Sequence, residues 1–153
     1  MRQYQRLFLI AGPTMRHSPA MERAIALADA TGAALHVAVF IEDFDLMRLM
    51  SNSEQLRESC RQENLQWLTD EAELMRRKGI NATTEVALTR DPLQAILEHV
   101  AEMQPDLIIK DVHHESALKR VFVTPLDWQL LRECQPPIHL VSEVRCPLPR
   151  VIV

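Results

Sequence analysis

The adjacent histidines His113 and His114, just after Asp111, are the side chains of this sequence best suited to chemistry, because imidazoles bind metals and carry protons near neutral pH. Their spacing argues the other way. Neighbouring side chains diverge in an extended segment, and neither H-E-x-x-H nor a third ligand at a metal-site spacing accompanies them. The first reading is therefore loop structure, ahead of contact with a small ligand and ahead of metal binding or catalysis. Glu42-Asp43-Phe44-Asp45 follows a run of strand character, where an acidic residue can hold a ribose hydroxyl in dinucleotide folds. Without a phosphate loop it reads as a solvated loop. Cys60, Cys134 and Cys146 are an odd set without C-x-x-C spacing or a paired base, as expected of reduced thiols rather than of a zinc knuckle or a nucleophile. Cys134 stands near a helix end and lacks the dipole that would activate it. His36 and His139 lie within strand-like runs and read as core or interface groups satisfied by hydrogen bonds. No metal, no cofactor and no catalytic constellation is expected.

Glycine is the outlier of the composition, with 3 among 153 residues, about 2% against a usual value of roughly 7%. Gly12, Gly32 and Gly79 are far apart. This scarcity excludes G-x-G-x-x-G, G-x-x-x-x-G-K-[ST] and G-x-S-x-G, which need neighbouring glycines for tight turns or close approach to phosphate. The 17 basic and 21 acidic residues give a net charge of −4, and the basic ones are scattered without a polycationic footprint, so no nucleic-acid partner and no anionic membrane surface is expected. No apolar run approaches the roughly 18 residues of a membrane span. Met1 to Ala11 carries charges where a signal peptide needs its apolar stretch, which points to the cytoplasm.

The elements that must position these residues follow from local patterns. Arg6 to Ala11 and Ala34 to Ile41 read as buried strands. Between them Ser18-Pro19 opens a helix carrying Met21, Ala24, Ile25 and Ala28, and Gly32 closes it. Ser51-x-x-Glu54 forms a capping box ahead of an apolar stripe of Leu56, Cys60, Trp67, Leu68, Ala72 and Met75, and this long helix ends at Gly79. Arg76-Arg77-Lys78 complements the negative end of its dipole. Ala82, Thr84, Val86 and Leu88 alternate as in an edge strand, and Asp91-Pro92 starts a helix bearing Leu93, Ile96, Leu97 and Val100. Asp106 to Lys110 is a further strand, Thr124-Pro125-Leu126-Asp127 starts the last helix, and Pro137 to Ser142 is the fifth strand. Trp67 and Trp128 sit at apolar helical spacing and are assigned to packing. Strands alternating with helices imply right-handed crossovers, hence a doubly wound α/β domain with a parallel sheet and helices on both faces. Ligands of such sheets sit beyond the carboxyl ends of the strands, which places a cleft between Gly12-Pro13-Thr14 and Asp111-Val112-His113.

From Asp106 onward, D-L-I-I-K-D-V-H-H-E-S-A-L-K-R-V-F-V-T-P-L-D-W-Q-L-L-R-E-C-Q-P-P-I-H-L-V resembles the last third of a universal stress protein domain. Asp106 to Ile109, His113, Ser116, Leu118 and Arg120 keep that family's frame, and Pro137 opens its final strand. T-P-x-D-W-x-L-L-R at Thr124 to Arg132 is similar to the first half of the E-type members, which carry two such domains in tandem. The resemblance implies a five-stranded parallel sheet of order 3-2-1-4-5, Rossmann-like and of the adenine nucleotide alpha hydrolase type. The domain is expected over residues 1–144, because Arg145-Cys146-Pro147-Leu148-Pro149 reads as a linker and Arg150 to Val153 reads as the opening of a further domain's first strand.

The departures from the family are specific. Members that bind ATP share G-2x-G-9x-G-[S/T], and the corresponding residues here are Asp111, His114, Thr124 and Pro125. Asp111 brings a negative charge where phosphate would approach, the β-carbons obstruct close contact, and Pro125 removes an amide from the helix start. Ile10-Ala11-Gly12-Pro13 also lacks the carboxylate that the family places near the nucleotide. The expectation is a domain that has lost ATP binding, is not an enzyme, and acts in the stress response by association. Alternatives are a sensor for a non-nucleotide small molecule in the rebuilt cleft, or an ATP-binding switch. The expected partner is a second copy, the second domain of a tandem chain, or an unidentified protein. The homodimer contact would lie along Ile138, His139, Leu140 and Val141, with Val151, because an apolar edge strand needs cover.

Overall fold

The computed structural model describes residues 4–12, 18–42, 53–115, 120–122 and 124–142, of which 53, 113–115 and 120–122 are described by backbone alone. In chain order the elements are β1 (Arg6–Ala11), α1 (Pro19–Thr31), β2 (Ala34–Glu42), α2 (Ser53–Arg77) and β3 (Ala82–Thr89). They continue with α3 (Pro92–Met103), β4 (Leu107–Asp111), β5 (His113–Glu115), β6 (Arg120–Phe122), α4 (Pro125–Glu133) and β7 (Ile138–Val141).

Local chemistry sets the boundaries. The Ser18 hydroxyl accepts from the Met21 amide at the start of α1, Pro19 takes the first helical position, and Gly32 ends the helix at φ +75°. Asp91 caps α3 and Thr124 caps α4, each followed by proline. Gly79 adopts φ +87° two residues after α2. Ser51, read as the cap of α2, lies outside the described residues.

Five strands form a parallel sheet in the order β3-β2-β1-β4-β7, so the strand expected as fifth is β7. The extra two strands correct one expectation. The segment around His113 and His114, read as a loop, pairs antiparallel with Arg120–Phe122 as a small separate ladder.

Side chains alternate between the two faces of the sheet. Leu7, Leu9, Leu35, Val37, Val39, Leu107 and Ile109 meet α1 and α2 through Met21, Ala24, Trp67, Leu68 and Met75. Phe8, Ile10, Ala38 and Ile108 meet α3 and α4 through Ile96, Val100 and Leu130. Trp67 is buried as expected, and its indole donates to the buried Asn64 side chain at 2.9 Å. Trp128 is not packed inside: it is 57% exposed. Leu130 points α4 at the sheet, and a residue two positions away is rotated by about 200° around the helix.

Candidate functional site

The carboxyl ends of β1 and β4 reach the place where a phosphate would meet the helix starts. Proline at the first position of α1 carries no N–H, so the first amides free to grip an anion are those of Ala20 and Met21. Asp111, the last residue of β4, accepts the Ala20 amide on Oδ1 at 2.9 Å, while Ser18 takes the Met21 amide at 3.2 Å. A carboxylate of the chain itself thus sits on the positive end of the helix dipole. The second Asp111 oxygen is buried and makes no hydrogen bond among the described residues.

Helix α4 is closed in the same way. Thr124 Oγ1 accepts from the Asp127 amide at 3.2 Å and Asp127 Oδ2 accepts from the Thr124 amide at 3.3 Å, a reciprocal capping box. The other Asp127 oxygen lies 2.8 Å from Lys110 Nζ, with the two side chains 0% and 17% exposed. This is an ion pair by distance whose ammonium is not aligned for a good hydrogen bond. Lys110 also reaches the Asp111 carbonyl at 3.4 Å.

Of the cleft residues expected from sequence, Gly12 and Asp111 stand at the ends of neighbouring strands, and the Val112 amide is used to bond the Val141 carbonyl of β7. Pro13 and Thr14 lie outside the described residues, as do Asp43 to Asp45, Cys146 and Val151; for His113 and His114 only the backbone is described. Thr124 and Pro125 occupy the N-cap and first position of α4. On β7, Ile138, Leu140 and Val141 are half-buried and His139 is exposed, and among the described residues the strand is paired on one side only. Burial, followed by the charge of Arg23, lowers the His139 pKa. Burial raises the Cys134 thiol pKa, with a further push from Glu133. Sequence reasoning missed Lys110 with Asp127. The available signals were a lysine closing an apolar strand and an acid three residues after a threonine cap.

A second concave region lies at the opposite, amino end of the strands. There β1, β2, β3 and α3 enclose a cleft of about 450 Å³ whose lining includes Arg6, His36, Thr83, Glu85, His99 and Glu102. His99 Nδ1 is 2.8 Å from the Ala95 carbonyl and Nε2 is 2.6 Å from Glu85 Oε2. Both partners are acceptors, so the geometry suits an imidazolium that donates from both ring nitrogens. Burial works against that charge, but the hydrogen bonds to Ala95 and Glu85, with the charges of Glu85 and Glu102, raise the pKa above its ordinary 6.5. His36 meets Thr83 Oγ1 at 2.6 Å and places Nε2 at 3.5 Å from the same Glu85 oxygen. Its pKa moves down, because burial outweighs the attraction of Glu85 and His99 adds a like charge. This group was also missed, since its members come from three elements that only the topology brings together. Among the described residues no three ligating side chains form a metal site, and no helix is long and apolar enough to cross a membrane.

The universal stress protein family model matches residues 4–142. Universal stress protein E of Photorhabdus laumondii is 29% identical over 147 residues, which cover 94% of this chain and 47% of that protein. The chain therefore spans about half the length of that relative, as it does of the other Universal stress protein E sequences of similar identity. Universal stress protein UspA from Lactobacillus plantarum superposes with a TM-score of 0.73 at 14% identity, covering 92% of this chain and 99% of that one. A universal stress protein from Archaeoglobus fulgidus in complex with dAMP superposes with a TM-score of 0.59 at 13% identity, covering 91% and 98%. With the strand order, the match over nearly the whole length and the E-type relatives in agreement, the chain belongs to the universal stress protein family.

Proposed function

We propose that this domain is a universal stress protein module that has exchanged nucleotide binding for internal charge pairing, and that it serves the stress response in the cytoplasm by association rather than by catalysis. One observation carries the reading: Asp111 and Asp127 hold the starts of α1 and α4, the two helix ends that would receive phosphate. An incoming triphosphate would meet the Asp111 carboxylate at the Ala20 amide and the Asp127 carboxylate at the Thr124 amide. The partner is a second domain of the same kind, from another copy or from a tandem chain, seated along β7 at Ile138 to Val141.

Calorimetric titration with Mg-ATP tests the first half of this reading. No heat of specific binding is expected, and a Kd below roughly 10 μM, about −7 kcal/mol, would overturn it in favour of a nucleotide switch. The joint variant Asp111→Gly, His114→Gly, Thr124→Gly and Pro125→Ser is expected to gain affinity. Native mass spectrometry that found another small molecule bound in place of ATP would favour the sensor reading. Light scattering tests the second half: the wild type should dimerise at tens of micromolar, a range typical of modest interfaces, and Leu140→Glu should weaken the dimer by burying an unpaired carboxylate.

A further inference from the structure

The cleft at the amino end of the sheet lies apart from the nucleotide region and plays no part in the function proposed above. Its polar lining is not a solvated rim. Glu85 stands on edge strand β3, His36 on β2 and His99 on α3, and a single carboxylate oxygen of Glu85 faces both imidazoles, at 3.5 Å and 2.6 Å. Each ring is anchored through its other nitrogen, His36 by Thr83 Oγ1 and His99 by the Ala95 carbonyl. His99 also stacks on Phe8 with centroids 6.4 Å apart and meets Phe40 edge-on at 5.1 Å. The imidazoles are therefore held in place while Glu85, 46% exposed at its side chain, is free to leave.

We propose that His36, Glu85 and His99 form a one-proton latch that fastens α3 to edge strand β3 and opens the cleft when the shared proton is lost or a second one is gained. With His99 charged and His36 neutral, the carboxylate accepts a charge-assisted hydrogen bond from His99. Loss of the His99 proton leaves one N–H for two acceptors, the Ala95 carbonyl and the Glu85 carboxylate, and removes the charge that holds Glu85, which then swings into solvent. Gain of a proton by His36 puts a second charge on a ring only 21% exposed, and its desolvation cost, with the like charge of His99 added, loads the same seam.

The other charges around the cluster leave this logic intact. Arg6 of β1 is held by the Met103 carbonyl at 2.8 Å, and Glu102 of α3 supports the His99 charge. The opposite shifts of the two histidines agree with the geometry.

The test is a histidine-ring NMR titration of the full chain from acid to mildly alkaline pH, with His36→Gln and His99→Gln to assign the signals. His99 is expected to titrate above 6.5 and His36 below it, and Glu85→Gln should move His99 back down. Amide exchange across β3, corrected for its intrinsic pH dependence, should be slowest between the two midpoints and several-fold faster on either side. A His99 midpoint at or below 6.5, a midpoint indifferent to Glu85→Gln, or flat β3 exchange across both titrations would each overturn the latch.

Discussion

The two ends of the sheet treat charge in opposite ways. At the carboxyl end, Asp111 and Asp127 are spent on helix starts and on Lys110, with Asp127 removed from solvent altogether. At the amino end, Glu85 stays half in water and shares one oxygen between two imidazoles. The first arrangement is static, because Asp127 is tied to both its own helix start and a neighbouring strand. The second can change state near neutral pH, because histidine is the group whose ordinary pKa lies there. In a universal stress protein fold, ligand-responsive chemistry is expected at the carboxyl end. In this chain Asp111 and Asp127 at that end each hold a helix start, and the histidines that share Glu85 lie at the opposite end.

The comparison breaks most sharply at Asp127. Replacing it with alanine would leave the Lys110 ammonium 17% exposed with no counter-ion and would remove the capping box of α4. Breaking such a pair costs about 3 kcal/mol, toward the lower end of the range because Lys110 retains some water. Urea unfolding should show that loss as a lower midpoint with an unchanged slope. By contrast Glu85→Gln, at the exposed end, should cost less than about 1 kcal/mol at neutral pH. Equal costs at the two ends would remove the distinction between static and responsive charge.

A smaller effect sharpens the same contrast through pH. The His99 pKa is raised in the folded state, so its stabilisation is complete below the unfolded value of 6.5 and is lost as pH rises through the folded value. The His36 pKa is lowered, so the fold favours the neutral ring, and stability falls as pH drops from 6.5 through its folded value. Together these give unfolding free energy a maximum near neutrality with a limb on each side. In Glu85→Gln the alkaline limb should shrink while the acid limb, which arises from burial of His36, persists. Denaturant melts at a series of pH values measure both limbs, and an alkaline limb unchanged by Glu85→Gln would contradict the assignment.

What the sequence revealed and what it concealed divide along the same line. Caps and strands were legible because they are local: Ser18-Pro19, Asp91-Pro92 and Thr124-Pro125 each state a helix start within a few residues. The sheet order came through resemblance to a family, not through periodicity. The replacements at Asp111 and Thr124-Pro125 marked the altered phosphate region, yet not what fills it, since the Ala20 amide lies 91 residues from Asp111 in the chain. The His36, Glu85 and His99 group could not be read, because each residue alone looks like an ordinary polar position on a strand or helix. The short pairing of His113–Glu115 with Arg120–Phe122 was missed because neither segment has enough residues for an alternating pattern to register.

Trp128 carries the smallest expected effect and marks where the closure of the carboxyl end stops. It belongs to α4 and follows Asp127 directly, so apolar spacing alone would make it a second anchor of that helix. At 57% exposure it contributes little of the burial that holds α4 to the sheet, which comes from Leu130 together with the half-buried Leu126 and Cys134. Its indole is also too open to water for its removal to leave a cavity. Trp128→Ala should therefore change the unfolding free energy by no more than about 0.5 kcal/mol, as surface substitutions do. If chemical unfolding instead showed a loss close to that of Asp127→Ala, α4 would be held by its aromatic face, and the ion pair with Lys110 would no longer be what distinguishes this end of the sheet from the other.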